Sequence, residues 1–333
     1  MFGNGYKICI KSVAVEIPNN QIGNLELISR IRVDQHIVNE TGIEKIYVAN
    51  HGELTTEITT RAVKKSIVDI EPKSIDEMVY ISEGISDYLY MDTSKTILKN
   101  IGGRTDNVVY TYDIFAGNCG TIGIIQLIGN QLIYNRNVST AVVASGLLWE
   151  NHSQRRTLGA TVLGDGAGSI VLQEGLGKNE ILSIVRESMS EYNLVAGFKY
   201  GGTKYDLPKE ALERGEFTYG ILNVLHLSGV LEKIVELSEK AGWKAIEISG
   251  LSQYEIDCIG IAGFSKKVND DILNHFGIAR KIDMFAQGGF LGTVGSIRVL
   301  DAFINDGSYK NGDVMLVISN GIDCNVEAMV IRK

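Results

Sequence analysis

Apolar and polar residues along this chain follow two periods, one typical of buried strands and the other of amphipathic helices. Short β-branched runs such as Ile8–Ile17, Met78–Ser82 and Thr140–Ser145 predict strands. In Thr55–Ile70 and Leu222–Ala241 the apolar residues recur at helical spacing, which predicts helices. Because the two kinds of segment alternate, we expect βαβ units, a largely parallel sheet with covered faces and an α/β fold.

The same periods predict elements along the rest of the chain. The further strands are Val108–Tyr112, Ala160–Leu163, Gly168–Gln173, Glu180–Arg186, Glu255–Ile261, Asp313–Ser319 and Asn325–Ile331. The further helices are Tyr88–Ile101, Ile124–Tyr134, Lys267–Phe276 and Thr293–Asn305. We expect 196–220, which contains Gly201, Gly202 and Pro208, to be a long loop, either of the kind that is often functional or a solvated surface excursion. The similar order of elements in 1–175 and 176–333 suggests two duplicated halves.

The segment 112–123 carries the clearest chemical signal. A strand-like run ends in small residues, presents Cys119, and passes directly into an apolar helix. A thiol at such a turn lies at the positive end of the helix dipole, where cysteines titrate low and attack carbonyls. The alternative for a lone cysteine is a buried structural residue that packs as a small hydrophobe. The flanking Gly117 and Gly120, which suit close approach of the backbone to a ligand, favour the reactive thiol.

Composition narrows the class of protein. The 333 residues are 44% hydrophobic and 22% charged, as in soluble globular proteins, and the net charge of −8 argues against nucleic-acid binding. The four cysteines follow no disulfide or metal-ligand spacing, so we expect reduced thiols, no metal and a cytoplasmic location. Residues 1–7 lack the pattern of a signal peptide, and no apolar run is long enough to span a membrane.

Four short motifs follow one another along nearly the whole chain. They are Asp34–Ile43, which ends in Thr-Gly-Ile, then Asn118-Cys119-Gly120, then Leu163–Gly168, and finally Gly312–Val317. In this order and spacing they resemble the ketoacyl-ACP synthase III family of thiolase-like condensing enzymes. The resemblance implies duplicated βαβαβ-type halves in a five-layer α/β/α/β/α sandwich. It also implies a dimer, no tightly bound cofactor, and a phosphopantetheine-linked acyl substrate whose acyl group passes to Cys119. We interpret Asp165 as a turn residue and not as a catalytic acid.

The chain departs from this resemblance at two positions beside the cysteine. The family pairs its cysteine with a histidine in a His-Gln-Ala-Asn-like motif and with an asparagine in a Gly-Asn-Thr-like motif. Here the corresponding positions are Ala262, Gly263 and Phe290, which supply neither group. In the family both side chains stabilise the enolate formed when a malonyl thioester loses carbon dioxide, and losing one oxyanion donor costs roughly 10²–10³ in rate. We therefore expect acyl transfer to survive better than decarboxylative condensation.

Other residues could take over parts of the family's site. His152, Ser265 and Asn269 are candidate substitutes for the missing pair, and the alternative for each is an exposed polar residue. The turn that supplies the second oxyanion N–H in relatives corresponds to 319–324, which gives Gly321 and Ile322 as candidate oxyanion residues.

The cofactor-facing positions also differ. We assign His36 and Gly202 to this surface, with His36 where the family has an aromatic residue that stacks on adenine. Glu44 follows the Thr-Gly-Ile motif in place of an arginine, and Glu150 falls near a second arginine. Carboxylates near the 3′-phosphate of coenzyme A oppose its binding. An acyl carrier protein is thus expected as donor in preference to acyl-CoA.

Three functions remain open. The first is a divergent acyltransferase that loads an acyl group onto Cys119 and passes it to an acceptor in fatty-acid or specialised-metabolite biosynthesis, such as a polyketide route. The second is a non-condensing partner subunit of a heteromeric ketosynthase. The third is a condensing enzyme with a substituted base. The expected assembly is a homodimer or a heterodimer with a related ketosynthase.

Overall fold

A ten-stranded sheet runs through the centre of the structure. The computed structural model describes residues 7–29, 35–105, 109–149, 156–159, 161–175 and 177–333. The strands are β1 (Ile8–Glu16), β2 (Asn20–Gly23), β3 (Lys45–Val48), β4 (Glu77–Ser82), β5 (Tyr110–Phe115), β6 (Thr140–Leu147), β7 (Thr157–Leu158), β8 (Thr161–Val162), β9 (Gly166–Glu174), β10 (Glu180–Ser188), β11 (Ala196–Phe198), β12 (Tyr219–Ile221), β13 (Cys258–Ala262), β14 (Arg280–Asp283), β15 (Val314–Asn320) and β16 (Asn325–Arg332). The helices are α1 (Asn24–Ser29), α2 (Gln35–Thr41), α3 (Thr55–Ser66), α4 (Thr93–Asn100), α5 (Thr121–Tyr134), α6 (Lys209–Glu213), α7 (Val224–Ser249), α8 (Lys266–Phe276) and α9 (Thr293–Asn305).

The sheet has a symmetrical strand order. Hydrogen bonding gives β14-β13-β15-β16-β10-β1-β9-β6-β4-β5, and a single register pair, Cys9 with Glu180, joins its two sets of five strands. Helices α5 and α9 contact strands of both sets, α3 and α4 cover the outer face of one, and α7 and α8 cover the other. The predicted five-layer α/β/α/β/α arrangement is therefore confirmed. The division into domains at 175/176 stays a prediction.

Burial explains why these segments adopt their structures. Every residue of β6 is buried, because helices cover both faces of its sheet, and its consecutive apolar residues 141–144 accordingly face both sides. Helix α5 is apolar around most of its circumference, since it lies between the two sets of strands. In the part of the chain that the structure describes, no helix combines the length and the apolar character that crossing a membrane requires.

The prediction of a largely parallel sheet is wrong. Strand β4 is parallel to β5 and β6, and β13 is parallel to β14 and β15, but the other pairs in the large sheet are antiparallel. One antiparallel pair follows from a short connection, because parallel strands need a long crossover whereas antiparallel strands do not. The turn from β15 to β16 spans only 321–324.

Several predicted boundaries also shift. The helix expected over Tyr88–Ile101 begins only at Thr93, because the Asp113 carboxylate accepts hydrogen bonds from the amides of Thr93 (2.7 Å) and Ser94 (2.9 Å). This cap comes from β5 and leaves no local trace in the helix sequence. The loop expected over 196–220 contains α6 and is closed by pairing of β11 with β12. Val108 and Ala160, which begin two predicted strands, lie outside the described residues.

Asp165 connects four segments of the N-terminal part of the chain. Its buried carboxylate receives two hydrogen bonds from the Arg156 guanidinium, at 2.8 and 2.9 Å. It also accepts from the amides of Ala49 and Trp149, each at 2.8 Å. With every lone pair directed at a structural donor, Asp165 has the structural role expected from the sequence.

Replacing Asp165 by asparagine should destabilise the fold strongly. In Asp165→Asn, Arg156 stays buried without its counter-charge, so we expect the free energy of unfolding to fall by about 3–5 kcal/mol. Urea unfolding followed by circular dichroism measures the change. The matched control is Asp92→Asn, which removes an exposed ion pair with Lys95 and should cost less than about 1 kcal/mol. Equal losses in the two variants would contradict this account of Asp165.

Candidate functional site

Cys119 lies at the turn between β5 and α5, where the sequence places it. Gly117 has a φ of +67°, which favours glycine, and a Cβ on Gly120 would overlap the backbone and side chain of Ala116. The glycines therefore permit a tight turn. Cys119 itself is fully buried, and its thiol donates a hydrogen bond to the carbonyl oxygen of Asn325 at 3.2 Å.

The prediction of a low pKa for this thiol is wrong in the closed structure. Burial raises the pKa of Cys119 well above its ordinary value, and the negative charges of Glu327, Asp323 and Glu83 raise it further. Arg186 opposes the shift. The thiol is consequently protonated at neutral pH, which agrees with its role as a donor to Asn325.

A buried carboxyl group explains why the dipole of α5 does not lower the pKa of Cys119. Glu327 on β16 is 1% exposed and lies against the amides of Ile122 and Gly123 in the first turn of α5. It pairs with Arg186, whose Nε lies 2.9 Å from Oε1 of Glu327. Burial nevertheless raises the pKa of Glu327 to about 7. The acidic side chain of Glu327 thus lies at the positive end of α5 and offsets the effect of the helix dipole on Cys119.

Glu83 is one of the residues of this site that the sequence analysis missed, together with Glu327, Arg186 and Tyr219. It follows β4 directly, and its buried carboxyl group accepts a hydrogen bond from the amide of Thr293 at the start of α9. The Asn118 side chain, next to Cys119 in the chain, donates to the other carboxyl oxygen at 3.5 Å. Mainly because of burial, the pKa of Glu83 is raised to about 8. One sequence feature could have pointed to Glu83. It is an acidic residue at the carboxyl end of a predicted strand, and the next strand along the chain leads to the cysteine.

An aromatic wall closes the other side of Asn118. The hydroxyl group of Tyr219 and the Asn118 amide lie within 3.3–3.4 Å of each other and exchange hydrogen bonds. The Tyr219 ring packs against Trp149 at a centroid distance of 5.3 Å and against Phe198 at 5.7 Å. Since Tyr219 lies on β12, the segment predicted as a long loop supplies one wall of the cysteine site.

The positions of the family's histidine and asparagine are filled by other groups. A Cβ on Gly263 would overlap Oδ1 of Asn269 and lie 3.1 Å from Nδ2 of Asn320. Phe290 is buried and meets Phe264 edge-to-face at 5.4 Å. The cavity lined by Gly263 and Phe290 has a volume of about 30 Å³, space for about one water molecule. This side of the site therefore presents aromatic and amide groups to the interior.

The proposed substitutes have other partners. Ser265 caps α8, because its Oγ accepts from the amide of Val268 at 3.3 Å. Asn269 is buried, and its Nδ2 donates to Oδ1 of Asp283 at 3.1 Å. Neither is the exposed polar residue that the alternative interpretation supposed. His152 lies outside the described residues.

The turn with the candidate oxyanion residues forms hydrogen bonds within the protein. The amide of Gly321 donates to the carbonyl oxygen of Asn325 at 3.1 Å, the same oxygen that accepts from Cys119. A Cβ on Gly321 would lie 2.8 Å from that of Asn118, so glycine allows this close approach. Ile322 is fully buried in the apolar core. Gly321 is thus beside Cys119 as predicted, with its N–H directed at the backbone.

The predicted cofactor-facing residues lie on the surface. The His36 side chain is exposed and contacts Glu40 at 3.2 Å, and Gly202 is exposed in the segment between β11 and α6. Glu44 accepts a hydrogen bond from the Gln287 side chain. Glu150 lies outside the described residues. Within the described ranges, no three His, Cys, Asp or Glu side chains cluster in a way that could hold a metal ion.

Sequence comparison finds ketoacyl synthases among the relatives. The chain is 25% identical over 258 residues to the beta-ketoacyl-(acyl carrier protein) synthase III of Campylobacter curvus, covering 75% of this chain and 74% of that protein. It is 23% identical over 330 residues to the synthase of the same name from Microcystis aeruginosa, covering 95% and 94%. No protein-family model matches the chain.

Solved structures share the fold. FabH, the 3-oxoacyl-(acyl carrier protein) synthase III of Pseudomonas aeruginosa, superposes with a TM-score of 0.81 at 12% identity over 98% of each chain. A variant of Xanthomonas campestris OleA gives 0.81 at 17% identity over 99% of this chain and 98% of that one. The chain is a divergent ketoacyl-ACP synthase III-like protein. Its general class is that of the transferases that condense or transfer acyl groups.

The raised pKa of Cys119 predicts slow alkylation in the resting protein. Each unit of pKa lowers the thiolate fraction about tenfold, so at pH 7 iodoacetamide should modify Cys119 at least about tenfold more slowly than free cysteine. The rate should rise as pH increases, because a raised pKa keeps the proton on sulfur until alkaline pH. Peptide mass mapping of the wild type and of Cys119→Ala assigns the signal. Modification of Cys119 at pH 7 as fast as free cysteine would contradict the raised pKa.

Proposed function

We propose that this protein is an acyltransferase that takes an acyl group from a pantetheine thioester onto Cys119 and passes it to an acceptor. The observation that carries the proposal is the placement of Cys119 at the β5–α5 turn, beside the protonatable carboxyl of Glu83. A cysteine thiolate forms a thioester by nucleophilic attack, and a group that exchanges protons near neutral pH assists the step. Fatty-acid or specialised-metabolite biosynthesis, in the cytoplasm, is the proposed setting.

Acyl transfer is favoured over decarboxylative condensation by the groups at the positions of the family's histidine and asparagine. Stabilising a malonyl-derived enolate requires hydrogen-bond donors directed at its oxygen. Phe264 and Phe290 offer aromatic rings there, and the Nδ2 of Asn269 is bound to Asp283. Acyl loading instead requires the sulfur nucleophile and a proton acceptor.

An acyl carrier protein is the proposed donor, in preference to acyl-CoA. The resemblance assigns the surface around His36 and Glu44 to coenzyme A, and the exposed carboxylates of Glu40 and Glu44 there would oppose an adenosine 3′-phosphate. A carrier protein supplies the pantetheine arm without that phosphate. Because Cys119 is fully buried, groups around it must move before the arm can reach the thiol.

A second candidate function, a non-condensing partner in a heteromeric ketosynthase, is favoured by the closed site and by one edge of the sheet. Strand β5 ends the strand order, and Phe115 on this strand is 76% exposed. An unpaired edge with an exposed ring is typical of a strand that meets another chain. A homodimer through this edge would serve the first function, and a heterodimer with a related ketosynthase would serve the second.

Intact-mass measurement tests acyl loading. We expect the wild-type protein to gain one acyl mass when incubated with acyl carrier protein thioesters, and to gain less with acyl-CoA, because of the charges near the phosphate. Cys119→Ala should gain none. Cys324→Ala is the matched control, since Cys324 is also a fully buried cysteine and should leave loading intact. Absence of an adduct with every donor would refute the acyltransferase and leave the partner function.

Release of carbon dioxide tests condensation. Incubated alone with a ¹⁴C-labelled malonyl thioester, the protein should release label at a rate at least about 10²-fold below that of an intact Cys-His-Asn ketosynthase, since enolate donors are missing. Comparable release by the purified protein would show that condensation persists. Co-purification with such a ketosynthase would support the partner function.

A further inference from the structure

We propose that Glu83 is the acid–base group for acyl transfer at Cys119, in the place where the ketosynthase family uses a histidine. The inference rests on the proposed function and adds to it the residue that moves the proton. It follows from where Glu83 stands in the sheet, what it contacts and which charges surround it.

The strand order places Glu83 opposite the family's histidine position. Counted outward from the central β1–β10 pair, β4 is the fourth strand on one side and β13 the fourth on the other. Glu83 is the first residue after β4, and Gly263 is the first after β13. The two halves thus present equivalent positions, and in this chain the ionisable group is on β4.

The contacts of Glu83 place it beside the residue that precedes the nucleophile. Strands β4 and β5 pair in parallel with Ser82 opposite Phe115, so the two chains leave the sheet side by side. The Glu83 carboxyl group then contacts Asn118, which precedes Cys119, and the amide of Thr293. A Cβ on Gly292 would overlap both carboxyl oxygens, so glycine there makes room for the acid.

The surroundings of Glu83 let it both accept and donate a proton. The ionisable groups around it are Asp323, Cys119, Tyr80 and Tyr219, and the Arg186–Glu327 pair acts on the same thiol. In the described part of the chain no Lys, Arg or His forms an ion pair with Glu83. Burial and Asp323 favour the protonated acid, whereas the amide of Thr293 at the start of α9 favours the carboxylate. With a pKa raised to about 8, both forms are populated near neutral pH.

The proposed step balances protons and bonds. The Glu83 carboxylate takes the proton of the Cys119 thiol as sulfur attacks the thioester carbonyl. The new bond joins Sγ of Cys119 to the acyl carbon, and the bond from that carbon to the pantetheine sulfur breaks. Glu83 then returns the proton to the departing pantetheine thiolate, which leaves as a thiol.

The variant Glu83→Gln separates this role from a purely electrostatic one. If Glu83 acted only through its charge, removing it would lower the pKa of Cys119 and speed acylation. We expect the opposite, a fall of roughly 10²-fold in the rate of acyl-adduct formation, because general acid–base groups contribute about 10²–10⁴. In the wild type the rate should rise with pH through about pH 8, and this rise should be absent in Glu83→Gln.

Glu77→Gln is the matched control. Glu77 begins β4, is also fully buried, and has a pKa raised to about 7, but it stands at the other end of the strand. We expect it to keep the wild-type rate and pH profile. An unchanged or faster rate in Glu83→Gln, with no adduct in Cys119→Ala, would overturn the role of Glu83 and leave acyl transfer standing.

Alkylation of Cys119 gives a readout that does not depend on the proposed function. If no donor acylates the wild type, a slower reaction of Cys119 with iodoacetamide in Glu83→Gln still supports Glu83 as proton acceptor, and an equal or faster one overturns it. Thermal unfolding by circular dichroism checks that the variant is folded. Should it not fold, a wild-type alkylation profile without a rise near pH 8 overturns the proposal.

Discussion

Buried acidity around the end of β5 is the constraint on which the site depends. Glu83, Asp323 and Glu327 all lie within electrostatic reach of one buried thiol, and Arg186 is the cation that acts against them. Burying carboxyl groups is costly unless they are neutralised, hydrogen-bonded or paired. All three kinds of compensation occur around this thiol, and Cys119 itself is buried and protonated. Chemistry at Cys119 therefore has to begin with a proton leaving sulfur.

The sheet explains how such a cluster can be assembled from distant parts of the chain. Strand ends fix the Glu83 and Cys119 turns on one side, while the β15–β16 turn brings Asp323 and Asn325 to the same place. Helices α5 and α9 begin at this level, so their first amides meet acidic side chains. Each of the two helix starts receives one carboxyl group: Glu327 lies at α5 and Glu83 at α9.

Much of the fold could be predicted because burial leaves a strong local pattern. Strand β6 and helix α9 are buried, so their sequences are rich in apolar residues and could be recognised. The glycines beside Cys119 indicated the turn that carries it. The start of α4 could not be predicted, because Asp113 of another strand sets it. The pKa of Cys119 could not be predicted either, since it depends on carboxyl groups that are up to 208 positions away in the chain, as Glu327 is. Glu83 had a signal at a strand end, but its closeness to Cys119 is a property of the folded chain.

The carbonyl of Asn325 accepts from both the Cys119 thiol and the Gly321 amide. An acylated sulfur carries no proton, so under the proposed acyl transfer the acylated protein would keep only the second of these hydrogen bonds. The hydrogen bonding of the β15–β16 turn would then differ between the acylated and the free protein. Acylation at Cys119 would in this way change the hydrogen bonds of a backbone carbonyl 206 positions further along the chain.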